Sequence, residues 1–515
     1  MKCIAIVAAF IPLFVFGQIR NTHFGNPVLE GNEPSIAINP TNKNDIWLGY
    51  NTSNLFHSVD AGKTWESVNT NTTHGYYGDP VLKFSNKGII YFTHLAKNKS
   101  KKWPTWFDCI VFERSLDGKV FESTCVASDK NKMQDKPWFC IDEGLKSKYH
   151  GNVYLTWTEF DKYGSSNKQD STRVKFAKSS DDGLSFSNPI TVSDKSGGAE
   201  DDDNTSEGVT TSVLNDGTIL CFWSRADTLW MDKSLDAGKT WGIDQAICRM
   251  PGGWNFEKVK GLVRTNGMPF AVADKNNNIY VTFACQNEYR DFDIYYMYSG
   301  NNGNSFEGPI VVNDDKLEGV DQFSPYLVLN EKLENPKLLW YDKRNSEKGH
   351  FADIYSADLC KKRPSKNIKL TSEPIILPGK DEFMGDYVGL SIVQGRALAA
   401  VTAYDDEIRK PCIQLIDWQE KIKKTPFEKD PILLVNRNFK SDSLVVLVSF
   451  PQETSFTFEI KSVNGVVMSS VFEIDEPQKI NYREMYIRKS MLGHGLYTFI
   501  VRRKGKIYKK SIWLD

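Results

Sequence analysis

An eight-residue phrase, Ser58-Val59-Asp60-Ala61-Gly62-Lys63-Thr64-Trp65, returns almost letter for letter at Ser234-Leu235-Asp236-Ala237-Gly238-Lys239-Thr240-Trp241. Looser copies run from Ser179 to Phe186 and from Ser299 to Phe306, the latter with Asn301 in the aspartate place, and a copy one residue short runs from Ser115 to Phe121. Intervals this regular mark an internal repeat, which constrains the fold before any local reading does. The phrase has the chemistry of a tight β-hairpin turn. Its aspartate can accept backbone N–H bonds across the turn, its glycine supplies a left-handed backbone position, and its closing aromatic begins the return strand with something to bury.

A second element repeats between the turns. Seven segments open on a polar or small residue, often followed by proline, and continue as a short strand: Glu33-Pro34, Asp79-Pro80, Asp135-Lys136-Pro137, Glu207-Gly208, Gly267-Met268-Pro269, Gln322-Phe323-Ser324-Pro325 and Asp386-Tyr387. A strongly apolar strand follows each of them, from Ile46–Tyr50 through Ala397–Thr402. Crowded inner strand, buried second strand, third strand, turn and outer strand make a four-stranded propeller blade, so seven starts predict seven blades. Six blades with a divergent insert is the alternative count. The last blade lacks an outer strand after Ile413–Trp418, and residues around Asn21 to Leu29 are expected to supply it and close the ring.

The pattern S-x-D-x-G-x-T-W resembles the Asp-box of sialidase-like β-propellers. The resemblance implies an all-β Asp-box propeller over residues 18–420, with the turns at the end of the ring away from any active site. Past a charged linker at 421–430, residues 431–515 alternate as a small β-sandwich. The runs VNGVV (463–467) and GHGLYTF (493–499) and a basic last strand resemble the type A sorting domain of the type IX secretion system. An accessory binding module is the other reading of this region.

Residues 1–17 combine Lys2, an apolar core from Ile4 to Phe16 and Gly17, which reads as a secretory signal peptide too short to span a membrane. The protein is therefore expected to be secreted or held at the outer surface, with the type IX machinery as a partner through residues 431–515. Lys and Arg number 64 against 65 Asp and Glu, which gives no basic footprint for nucleic acid. Cys109 and Cys125 are spaced symmetrically about Asp117 and would face one another in a simple hairpin; a disulfide and two free thiols both fit that spacing.

Inner-strand starts share one end of the ring with the loops between second and third strands, and that end is the expected functional face. Glu33, Asp79, Asp135, Glu207 and Asp386 would crown it, with Glu159, Asp161, Lys343 and Tyr404 in the loops and Arg264 just before the fifth inner strand. The resemblance implies a sialidase-type site: Arg225, Arg290 and Arg344 as a clamp for a substrate carboxylate, Asp79 or Asp135 as the acid, and Tyr387 as nucleophile with Glu207 as its base. Trp103 and Trp106 suit stacking on a sugar ring. One departure counts against this chemistry. The first arginine of true sialidases lies in a Phe/Tyr-Arg-Ile-Pro motif, and Asn32-Glu33-Pro34-Ser35 stands there instead. The functional expectation is hydrolysis of a terminal sugar on extracellular glycans with no required cofactor. The alternative is a non-catalytic module that binds glycan or protein, with the crown carboxylates capping backbone N–H groups or holding Ca²⁺.

Overall fold

The computed structural model describes residues 20–22, 30–51, 55–127, 129–254, 259, 261–329, 335–346, 350–361, 363–379, 382–405 and 410–420, and the strands between 432 and 514. The expectations for residues 1–17 and 421–430 lie outside the described residues. Among those described there is no helix, and so none long and apolar enough to cross a membrane.

Seven radial antiparallel sheets form the ring. Their inner strands are Ser35–Ile38, Val81–Phe84, Met133–Ile141, Glu207–Val213, Phe270–Ala273, Gln322–Val328 and Gly389–Val393, one per blade in chain order. Second strands are flanked on both faces by neighbouring blades, which is why Trp47, Trp157, Trp223 and Trp340 sit there with less than 2% exposure. Blade 7 takes its outer strand from Arg20–Thr22, which pairs antiparallel with Lys410–Gln419 at Arg20–Asp417 and Thr22–Leu415. An isolated bridge between Glu30 and Cys412 adds to the closure. No ring edge is left unpaired at that seam.

The turn phrase behaves as its chemistry requires. At Asp60 and again at Asp236, one carboxylate oxygen accepts two backbone N–H bonds at 3.0 and 2.9 Å while the other accepts the threonine hydroxyl at 2.7 Å. The serine oxygen of each accepts the glycine N–H at 2.8 Å. In the Asn301 copy the polarity of one bond reverses, since Asn301 Nδ2 donates to Ser305 Oγ at 2.8 Å. The closing aromatics Trp65, Phe121, Phe186, Trp241 and Phe306 are half-buried rather than fully buried, because they cap the cores between blades from the rim.

Four of the five turns are also fastened by hydrogen bonds to the blade before them. Arg114 donates to the Asp182 carbonyl at 3.0 Å, Lys178 to the Ala237 carbonyl at 3.1 Å, and Lys233 to Asn304 Oδ1 at 2.6 Å. Arg396 of blade 7 does the same for blade 1, donating to the Ala61 carbonyl at 2.9 Å.

Cys109 and Cys125 form a disulfide with Cα atoms 5.7 Å apart. They do not face one another directly, as symmetry about Asp117 suggests. The ladder sets Cys125 opposite Val111, so the bond runs diagonally between strands.

In the second compact unit the strands form two antiparallel sheets, the make-up expected of a small sandwich. One holds Ile432–Arg437, Ser443–Val448 and Arg483–Arg488; the other holds Phe456–Ser462, Gly465–Phe472, Gly495–Arg503 and Lys506–Leu514.

Candidate functional site

The inner strands begin with an unusual backbone. Glu33, Asp79, Lys136 and Ser324 all have φ between 49° and 54° and all stand immediately before a proline. A left-handed backbone costs a non-glycine residue energy, and four such residues at one end of the ring mark a place where side-chain direction is strictly imposed. In blade 3 the imposed residue is Lys136, not Asp135. One extra residue in the ladder between Asp135 and Trp138 puts Lys136 in the slot that Glu33 and Asp79 occupy in blades 1 and 2.

Lys136 is the hub of what these residues build. Its Nζ lies 2.6 Å from Asp386 Oδ2, 2.9 Å from Glu33 Oε1 and 3.5 Å from Asp79 Oδ2, all four side chains being at most 7% exposed. Asp386 also takes a two-pronged contact from Arg264, at 2.6 and 3.2 Å, and Arg264 reaches on to Asp201 at 2.7 Å. Asp201 accepts from the Tyr163 hydroxyl at 2.7 Å and from Trp254 Nε1 at 2.9 Å. Asn51 joins blades 1 and 2, donating to Glu33 and accepting the Asp79 N–H at 2.7 Å.

Four carboxyl groups touch these two cations and two more, Asp135 and Glu207, lie close enough to interact with them electrostatically, and the imbalance sets their protonation. Burial, reinforced by Asp79 and Asp386 and opposed by Lys136, pushes Glu33 up to about 8. Burial likewise lifts Asp79 and Asp135 to about 6 each. Glu207, with no exposure, is driven well above the usual range by burial and by Asp201 and Asp135. Against the same burial, Arg264 and Lys136 hold Asp386 below its ordinary value, and Arg264 does so for Asp201. Protonated and ionised carboxyls thus stand side by side near neutral pH.

Beneath the network, rings from four inner-strand regions fill the channel. Trp138 meets Phe270 at 5.2 Å and both Tyr326 and Tyr387 at 6.1 Å. Tyr387 belongs to this plug. Its hydroxyl donates to the Pro80 carbonyl at 3.1 Å rather than to Glu207, so the expected nucleophile and base are not brought together. Within the network, it is Tyr163 whose hydroxyl meets a carboxylate, that of Asp201.

The arginine clamp is not assembled. Arg344 is held by Asp314 at 2.6 Å and Asp342 at 2.7 Å and stacks on Tyr355 at 4.2 Å. Arg225 donates to the Lys195 carbonyl at 2.8 Å and lies over Trp230, while Arg290 is exposed. Loop equivalence placed these three on the right face, but local acids and rings decide where each points. Glu159 and Asp161 are likewise occupied, by Arg173 at 2.9 and 2.8 Å.

Aromatic side chains wall one flank of the network. Trp103 is 57% exposed and meets Tyr163 edge-on at 6.4 Å. Half-buried Trp106 packs on Tyr77 at 5.3 Å under Lys97, and Tyr77 is close enough to Asp79 and Asp135 to feel both charges. Lys136, Asp201 and Tyr163 are the site residues that sequence reading did not find. The Lys136-Pro137 dipeptide and the acidic run Glu200 to Asp203 just ahead of an inner strand were the available signals.

Concerning a metal, among the described residues no three of these carboxylates bring an oxygen each within 4.8 Å of one another. Lys136 Nζ stands between them instead.

No family model matches the chain, and no curated protein matches it. Solved structures similar to it include NanB sialidase from Streptococcus pneumoniae, 11% identical with a TM-score of 0.40 over 71% of this chain and 75% of that one. A polysaccharide lyase of family 25, an ulvan lyase, is 10% identical with a TM-score of 0.46 over 78% and 97%. YCF48 from Cyanidioschyzon merolae is 11% identical with a TM-score of 0.41 over 79% and 99%. At these identities the likeness is one of fold.

Proposed function

We propose that the protein binds carbohydrate at the acid-lined end of the ring and recognises a neutral or amine-bearing sugar, not sialic acid. The observation that carries this reading is the exposed Trp103 at the rim of a carboxyl-rich network whose two cations are already engaged. A sugar's apolar face stacks on an indole, while a sugar carboxylate would meet like charge beside an Arg264 guanidinium already held by Asp386 and Asp201. In a glycan-binding titration, Trp103→Ala is expected to weaken affinity about tenfold or more while leaving the thermal midpoint unchanged, since the ring is largely in solvent. Binding of sialyl conjugates in preference to neutral or amino sugars would overturn the reading.

One observation favours hydrolysis as a second reading: Glu33 and Asp79, lifted to about 8 and about 6, share Lys136 with depressed Asp386, and Asp135, also lifted to about 6, lies next to Asp79. That split is what general acid and base work requires. Turnover of a neutral chromogenic glycoside, abolished in Asp135→Asn, would establish it.

We propose further that Lys136 does the neutralising otherwise expected of Ca²⁺, so a chelator should leave the melting temperature of the oxidised protein unchanged. Export through residues 1–17 and 431–515 is also part of this reading. Mass spectrometry of secreted material should find a start near Gln18 and an end near residue 431, whereas an intact Asp515 terminus would favour an accessory module.

A further inference from the structure

A second cluster with its own chemistry lies in blade 2, away from the carboxyl network. Cys109 stands just before the third strand, Cys125 lies in the outer strand Glu122–Val126, and His74 is in the stretch leading to the inner strand. A ring nitrogen of His74 and the two sulfurs all lie within 4.8 Å of one another. His74 and Cys125 are half-buried, so both a reductant and an ion can reach this corner from one side, while Cys109 is 1% exposed and anchors the other.

Two thiolates and an imidazole are a preferred donor set for Zn²⁺. Tetrahedral coordination asks for ligand separations of roughly 3.5–3.8 Å; the His74 nitrogen is within 4.8 Å of each sulfur, and the two sulfurs must move apart from bonding distance to meet it. The disulfide is what denies the site its ligands, because bonded sulfurs are neither anionic nor spaced for an ion. We propose that reduction of Cys109–Cys125 opens a Zn²⁺ site made by both thiolates and His74, with water as the fourth ligand.

The chemistry balances with a trialkylphosphine as reductant. The S–S bond breaks, phosphorus is oxidised to the phosphine oxide with oxygen taken from water, and that water's two protons go to the sulfurs. Zn²⁺ then displaces both thiol protons. The site lies on the same stretch as Tyr76, Tyr77 and Asp79, so its occupation would act on the flank of the sugar-binding face, but its existence does not depend on that face having the proposed function.

The test uses the full chain with Cys248, Cys360 and Cys412 replaced by serine, which removes the three half-buried cysteines outside the disulfide and leaves the buried Cys140, Cys221 and Cys285 in place. Co²⁺ serves as the spectroscopic probe and Zn²⁺ as its competitor. Phosphine-reduced protein should bind one Co²⁺ per chain with a thiolate-to-cobalt charge-transfer band that Zn²⁺ abolishes, and the oxidised protein should show none. His74→Gln should weaken binding at least tenfold and Cys109→Ser should remove the band. Circular dichroism of each reduced protein verifies that the fold persists. A folded, reduced protein without the band, or one whose affinity His74→Gln leaves unchanged, overturns the proposal.

Discussion

Lys136→Met is expected to destabilise the folded ring by about 3–5 kcal/mol at pH 8, the range for stripping a buried charge cluster of its counter-ion. The lysine touches Glu33, Asp79 and Asp386 at once, and the isosteric methionine keeps the packing over Tyr387 while removing the charge. The loss should shrink as pH falls, and the sign follows from the carboxyls themselves. Glu33 is raised from 4.5 to about 8, and Asp79 and Asp135 from 3.8 to about 6. Raised groups hold protons that the unfolded chain has released, so their contribution to stability is complete below their ordinary values and is lost as pH climbs to about 8. Asp386 is depressed and works in reverse, its contribution failing as pH drops below 3.8. The wild-type protein should therefore be most stable at about pH 4–5, and the variant's deficit should be smallest there. Denaturant unfolding at pH 5 and pH 8 measures both; an equal deficit at the two values would show that Lys136 acts through packing alone.

Gly238→Ala should cost roughly 3–4 kcal/mol, combining about 1–2 for a left-handed backbone with the penalty for overpacking a buried ring. A Cβ there would lie 2.1 Å from the edge of Phe176, which is 1% exposed and wedged by Tyr154 and Trp241, and the backbone φ is +74°. Gly62 is the internal control. It holds the same place in the same phrase with φ +81°, but a Cβ would find nothing nearer than 3.5 Å, so Gly62→Ala should carry only the backbone share. Equal losses at the two glycines would refute the packing argument, and thermal melts of the pair decide it.

The two glycines illustrate what the sequence could and could not disclose. Seven inner strands, seven second strands and the place of five turns were legible, because hydrogen-bonding chemistry at a hairpin and alternation along a strand are local and repeat. The contact that distinguishes Gly238 from Gly62 is made with another blade and leaves no local mark. The site shows the same division. Glu33, Asp79, Glu207 and Asp386 were found because a strand start is a periodic position. Lys136 was passed over because a single bulge shifts blade 3 by one residue, and Arg264 meets Asp386 across a sequence separation of 122. Arg344 was misassigned since nothing in its spacing reveals that Asp342, two residues away, already holds it.

The seam of blade 7 has a consequence for how chains meet one another. Arg20–Thr22 precedes the whole ring in the chain while its partner Leu415 to Asp417 follows almost all of it, so this pairing closes a very long loop and is expected to form late. Until it does, Lys410–Gln419 is an open edge that accepts any chain offering the same three-residue segment. At high concentration a second molecule offering Arg20–Thr22 is expected to compete for that edge, and size-exclusion chromatography of protein refolded at rising concentration checks for the resulting strand-exchanged dimer.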